Sequence, residues 1–219
     1  MGRINTVPGV DFLYKYKYMF DLGGVLVKYN YNQLADRLCA ITKGDRESIN
    51  RLFAFESLYP VESGKISSRD FYSRYVKKAL PGFSYDDLID AFAEHFVPNI
   101  PVVELVRKLK QRGREVYILS NLAEFQKIAV EKRIPGLFDL FDKRFLSYEL
   151  GYYKPEPEIY IEAIRQIGAV PDKIVFFDDL DTNVEGARNA GIYAIKFSDE
   201  KMEGILETIR QLEEDPDFL

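Results

Sequence analysis

From about residue 100 to the C-terminus, the chain alternates short apolar runs with longer stretches whose apolar residues recur at helical spacing. No other feature constrains the fold as strongly. Pro101 opens a helix whose Val102, Leu105, Val106 and Leu109 share one face, and Gly113 ends it. Glu115–Asn121 (EVYILSN) reads as a buried strand, and a helix through Phe125, Ile128 and Ala129 closes near Pro135–Gly136. Lys143–Ser147 is a weaker strand, and Tyr160, Ala163, Ile164 and Ile167 mark the next helix. Lys173–Asp179 (KIVFFDD) is the strongest strand. A helix to Gly191, a strand over Tyr193–Phe197 and a charged helix over Lys201–Glu213 complete the series. This alternation predicts an α/β fold, a doubly wound, Rossmann-like parallel sheet with helices on both faces. Ligands of such sheets bind beyond the carboxyl ends of the strands.

An earlier strand runs into Asp21 within YMFDLGGVLV, Tyr18–Val27. Between Asn30 and Asn99 the alternation disappears. Leu34, Leu38 and Ile41 form one helical face, and Ile49, Leu52 and Phe53 a second. Ser67 and Ser84 each stand three residues before an aspartate, in the manner of a capping box, and open two more helices. Phe71 with Tyr75, and Leu88 with Phe92 and Phe96, supply their apolar faces. The expected organisation is a core of residues 1–30 and 99–219 and an inserted helical cap, 31–98, placed above the strand ends as a lid. The N-terminal MGRINTVPGVDFLYKYKY lacks the apolar centre of a signal peptide and reads as a loose leader.

The net charge of −5, with basic residues scattered among acids, argues against a nucleic-acid partner. No run approaches the ~20 apolar residues of a membrane span. A lone cysteine, Cys39, excludes an intrachain disulfide, suits packing in an apolar helix and fits a reducing compartment; the expected location is the cytoplasm. The sequence leaves the oligomeric state open.

Polar residues able to do chemistry stand at four successive strand ends: Asp21, Ser120–Asn121, Lys154 in GYYKPEPEIY, and the pair Asp178–Asp179. Each alone also serves structure, as a helix cap, a turn or a surface residue. Together, in this order, they are chemically consistent. Carboxylates and backbone carbonyls at one rim suit Mg2+. A carboxylate can attack phosphorus to give an aspartyl phosphate, a meeting of anions that needs cations such as Mg2+ and Lys154. Ser120 and Asn121 suit hydrogen-bond donation to phosphoryl oxygens.

On these motifs the chain resembles the haloacid dehalogenase superfamily over nearly its whole length, most closely its phosphatases with a small helical cap. The resemblance implies Asp21 as nucleophile, Ser120 and Lys154 as the second and third motifs, and Asp178–Asp179 as the acidic fourth. It implies Mg2+ held by Asp21, the Gly23 carbonyl and Asp179, with Asp178 as a secondary or water-mediated partner. The substrate implied is a small phosphorylated metabolite. The departure is Gly23, where most phosphatases of the family carry a second aspartate as general acid and base. A glucose 1-phosphate branch also has DLG here, and an acidic leaving group needs less help from a positioned acid, normally worth ~10²–10⁴ in rate. Two alternatives stand beside this reading: a metal-independent 2-haloacid dehalogenase, and a non-catalytic phosphometabolite-binding protein.

Several other residues read more simply as structure. His95, the single histidine, is expected to pack or be partly exposed, although a closed cap would let it donate a proton. Phe53, Phe55, Tyr59, Phe71, Tyr72 and Tyr75 are expected in the cap's own small core, with a sugar pocket as their other use. Glu56 and Glu62 are assigned to turns and surface, with contact to substrate hydroxyls as their other use, and the terminal EEDPDFL to a solvated tail.

Overall fold

The computed structural model describes residues 15–219, so most of the leader lies outside the described residues. Strand β1 is Lys17–Phe20, four residues buried on both faces. β2, Val27–Lys28, precedes helices α1 (Tyr31–Thr42), α2 (Arg46–Leu52) and α3 (Phe55–Glu62). α4 (Ser68–Phe71) runs through a π-helical turn, Tyr72–Val76, into α5 (Lys77–Ala79), and α6 is Tyr85–His95. After β3 (Val97–Pro98) come α7 (Ile100–Gln111), β4 (Val116–Ser120), α8 (Glu124–Arg133), β5 (Lys143–Leu146) and the short α9 (Ser147–Leu150). α10 (Pro157–Ile167), β6 (Ile174–Asp178), α11 (Asp181–Asn189), β7 (Tyr193–Lys196) and α12 (Met202–Leu212) end the chain.

The five-stranded sheet has the order β5-β4-β1-β6-β7, and every pairing is parallel. Side-chain alternation sends Tyr18, Phe20, Ile118 and Phe177 to one face and Met19, Tyr117 and Phe176 to the other. Phe20 stacks on Phe177 with centroids 4.9 Å apart, locking β1 to β6 beside the site. Helices α7, α8 and α12 cover the first face; α10 and α11 cover the second. The doubly wound architecture follows from strands too apolar to leave either face in water.

The two crossings between sheet and helices α1–α6 pair as a small antiparallel ribbon, Val27 with Pro98 and Lys28 with Val97. At its base Asn99 donates its backbone N–H to Leu26 O (2.9 Å) and its side-chain amide to Val25 O (2.9 Å). His95 Nε2 accepts the Asn30 N–H at 2.8 Å, tying the end of α6 to the start of α1. That lone pair is spent on the backbone, so His95 serves the crossing.

Three sequence expectations differ from the structure. Phe71 stacks on Phe125 of α8 (5.6 Å, interplanar 3°), and Phe92 packs edge-on against the same ring (5.1 Å). The inserted helices therefore share an apolar cluster with the sheet domain instead of closing a small core of their own. Glu62 lies in helix α3, buried with Leu58 and Val61 on one face, not on a surface turn. The terminal segment is docked: Phe218 is 5% exposed beneath Arg112 and Arg114. Glu213 accepts hydrogen bonds from the buried Tyr18 hydroxyl (2.6 Å) and from Arg114 Nε (2.8 Å). An acid that satisfies an interior phenol and an arginine is structural.

Replacing Glu213 with alanine strands that hydroxyl and one arginine face. A loss of about 2 kcal/mol in unfolding free energy is expected, the scale for a buried polar group left unpaired. Chemical denaturation measures it; a change under about 0.5 kcal/mol, typical of solvated positions, would refute the docking.

Candidate active site

Parallel strands bring their carboxyl ends to one rim, and the residues there converge. Asp21 follows β1, Ser120 ends β4, and Asp178 ends β6 with Asp179 after it. Lys154 reaches the same point from the segment between α9 and α10, its side chain 1% exposed. Its ammonium lies 3.0 Å from Asp21 Oδ1 and 2.6 Å from Asp178 Oδ2. Burial alone would lower the lysine's pKa, but Asp178 and Asp21 outweigh it and the net shift is upward.

The remaining contacts hold this bridge in place. Asp178 Oδ1 accepts the Leu180 N–H (2.8 Å), and both its oxygens accept from Asn183 Nδ2 (3.1 Å). Asn121 is clamped to the lysine's backbone: Lys154 N donates to its Oδ1 (2.8 Å), and its Nδ2 donates to Lys154 O (3.0 Å). One N–H of the amide expected to meet phosphoryl oxygens is thus occupied in positioning Lys154, and Asn121 also lines the cavity above the rim. Asp178, expected near the metal, gives Oδ2 to Lys154 and both oxygens to Asn183. A carboxylate oxygen of Asp178 also lies within 4.8 Å of ligand oxygens of Asp21 and Asp179. Asp21 is 7% exposed, and its described contacts, to Lys154 and the Leu22 N–H (2.7 Å), all fall on Oδ1.

The charges do not balance. Ligand oxygens of Asp21, Asp178 and Asp179 lie within 4.8 Å of one another, with one buried lysine between two of them. Burial lifts the Asp21 carboxyl to about 7, with Lys154 opposing and Asp178 and Asp179 adding. Asp179 is also raised, by burial and then by Asp178, and among the described residues it has no ion-pair partner. Gly24 makes room for it: at φ +75°, an added Cβ would stand 2.2 Å from Asp179 Oδ2. A tight, all-oxygen, over-negative rim fits a hard divalent cation such as Mg2+. Asp21, Asp179 and the Gly23 carbonyl would hold it, and it would offset the negative charge that an arriving phosphate adds.

Above the rim opens a cavity of about 250 Å³. Asp21, Ser120, Lys154 and Asp179 form its floor; Tyr29, Tyr31, Phe53, Phe55, Glu62 and Tyr153 form its walls. Glu62 accepts from Gln126 Nε2 at Oε1 (2.9 Å) and from the Tyr153 hydroxyl at Oε2 (3.1 Å). It is 6% exposed, and burial raises its pKa. Phe55 stacks on Tyr59, and both pack against Tyr153. Of the six aromatics expected in a cap core, Phe53 and Phe55 instead line the cavity. The sequence reading favoured a surface turn for Glu62, with contact to hydroxyls as its other use, and did not single out Tyr29, Gln126 or Tyr153. Only Glu62 carries a signal: a carboxylate at the buried spacing Leu58, Val61, Glu62.

The charge surplus sets a pH dependence. A metal binds the ionised carboxylate, so below about pH 7 it must displace the proton that Asp21 retains. Mg2+ affinity of the substrate-free protein should fall about tenfold per pH unit below that point and level off above it. Isothermal titration across that range tests this; equal affinities well below and above pH 7 would contradict it.

Comparison with known proteins agrees with this geometry. Residues 18–191 match the model of the haloacid dehalogenase-like hydrolases. The chain is 27% identical over 184 residues to the sesquiterpene phosphatase astK of Aspergillus oryzae, covering 83% of this chain and 89% of that protein. It is 24% identical over 180 residues to the D-ribitol-5-phosphate phosphatase of Bacteroides thetaiotaomicron, covering 79% and 87%. The structure of a Bacteroides thetaiotaomicron enzyme of the family, in complex with magnesium and inorganic phosphate, superposes with a TM-score of 0.75 at 25% identity, covering 84% of this chain and 94% of that one. A lysine-bridged acid cluster at the rim of a parallel sheet, and a family match over most of its length, place this chain in the haloacid dehalogenase-like hydrolases.

Proposed function

We propose that the chain is a Mg2+-dependent phosphoric monoester hydrolase acting on small phosphorylated metabolites, with Asp21 as the covalent nucleophile. The observation that carries this reading is the divided carboxylate of Asp21: Oδ1 is held by Lys154 and a backbone N–H, and Oδ2 remains for attack on phosphorus. Lys154 neutralises phosphoryl oxygens, and Ser120 donates to them from the cavity floor. Asp178 and Asn121 fix the lysine. Asp179 and the Gly23 carbonyl hold Mg2+ with Asp21.

The walls speak to the leaving group. A buried carboxylate held by two neutral donors keeps acceptor capacity for hydroxyl groups, and the aromatic walls suit the carbon face of a sugar or polyol. Phosphorylated sugars and polyols are therefore the favoured substrates, in line with the ribitol phosphate substrate of one relative. The helices over residues 31–95 act as a cap that closes this cavity from above. The surplus acid Asp179 sets the site apart from a metal-free dehalogenase, whose halide chemistry has no use for it.

Phosphate release from a panel of sugar, polyol and aryl phosphates, with and without Mg2+, tests the reading. Asp21→Asn should lower turnover by on the order of 10⁴-fold or more, with the fold intact by circular dichroism. Near-normal rates in that variant would remove Asp21 from its role, and full phosphate release in excess chelator would remove Mg2+ from the reading. Halide release from 2-haloacids with no phosphate release from any ester would favour the dehalogenase chemistry. Glu62→Gln, close in shape, should lower kcat/KM for hydroxylated esters by about 10-fold relative to an aryl phosphate. Equal effects on both classes would deny Glu62 a part in substrate choice.

A further inference from the structure

Gly23 has no side chain where an acid is expected, and the structure shows what stands there instead. A Cβ built on Gly23 would lie 2.8 Å from Cε1 of Tyr29 and 3.5 Å from its hydroxyl oxygen. Gly23 is not in the left-handed region, so its backbone does not demand glycine; what crowds a side chain there is the ring of Tyr29. Tyr29 lies just past β2 and is braced edge-on by Tyr31 (centroids 5.0 Å) and Phe96 (6.5 Å). It is 42% exposed and walls the same cavity as Asp21, Ser120 and Lys154. A phenol is ordinarily protonated at neutral pH and can donate a hydrogen bond.

We propose that Tyr29 takes the place of the absent acid and donates its hydroxyl hydrogen bond to the leaving-group oxygen of the phosphoester. This inference rests on the phosphatase reading above. As the Asp21 Oδ2–phosphorus bond forms, the bond from phosphorus to the leaving oxygen breaks, and its electron pair stays on that oxygen. Tyr29 stabilises the charge through its hydrogen bond and keeps its own proton. Water protonates the departing alkoxide and releases hydroxide to solvent. A second water then attacks phosphorus, Asp21 leaves as carboxylate, and both protons of that water depart on dihydrogen phosphate. A neutral donor gives less help than a positioned carboxylic acid, so the design favours esters of the more acidic alcohols. Gly23→Asp alone must displace the Tyr29 ring, because a Cβ there would stand 2.8 Å from Cε1.

The test compares wild type and Tyr29→Phe, with Mg2+, on aryl and alkyl phosphates graded by leaving-group acidity. Losing the hydroxyl should slow alkyl esters between about 10-fold and 10³-fold more than aryl esters, the scale of one transition-state donor. Gly23→Asp paired with Tyr29→Ala, which opens the volume, should hydrolyse alkyl esters faster than Tyr29→Ala alone. A wild type active on these esters, whose Tyr29→Phe variant loses the same factor on all of them, overturns the inference and leaves the phosphatase reading intact. A wild type that releases phosphate from none of them overturns both.

Discussion

One buried ammonium group serves two carboxylates, with a third close by, and the rest of the site depends on that imbalance. Lys154 bridges Asp21 and Asp178 in an almost dry setting, where removing one partner of an ion pair costs about 3–5 kcal/mol. The bridge exists because β1 lies beside β6 in the sheet, so Asp21 and Asp178 finish side by side. Asn121, at the end of the other neighbouring strand, fastens the lysine's own backbone. The sheet order supplies the geometry, and burial supplies the electrostatic demand for a further cation.

The wall opposite the rim comes from the inserted helices. Glu62 and Phe55 from α3 meet Gln126 and Tyr153 from the sheet domain, so the cavity is closed by both parts of the chain. Their shared apolar cluster, built around Phe71, Phe92 and Phe125, sets the helices firmly on the sheet domain. The β2–β3 ribbon, with Asn99 and His95 at its ends, is the other tether. On the proposed reading the two parts divide the work: the rim handles phosphate, and the walls handle what carries it.

The parallel sheet was legible because strands such as KIVFFDD bury both faces and leave an unbroken apolar run. The rim residues were legible because strand ends are where such sheets put their polar groups. What escaped was set by tertiary contact. Nothing local to Asn121 shows that its amide clamps the backbone of Lys154, thirty-three residues away in sequence. Nothing in EEDPDFL shows that Glu213 meets Tyr18, since an acid-rich terminus reads the same whether docked or free. Tyr29 sits in a polar YNYN stretch without periodicity, and only the fold shows its ring filling the space beside Gly23. Glu62 breaks the rule that acids avoid buried helix faces; such violations tend to mark functional sites.

On the proposed mechanism Asp21 carries the phosphoryl group between substrate and water. Rapid acid quenching of the enzyme with a phosphoryl-labelled substrate and Mg2+, followed by peptide mapping, examines it directly. The expected result is transient label on the peptide containing Asp21, stable in acid and released by hydroxylamine as an acyl phosphate should be. Label on another residue, or turnover with no labelled protein at any quench time or substrate concentration, would contradict the account.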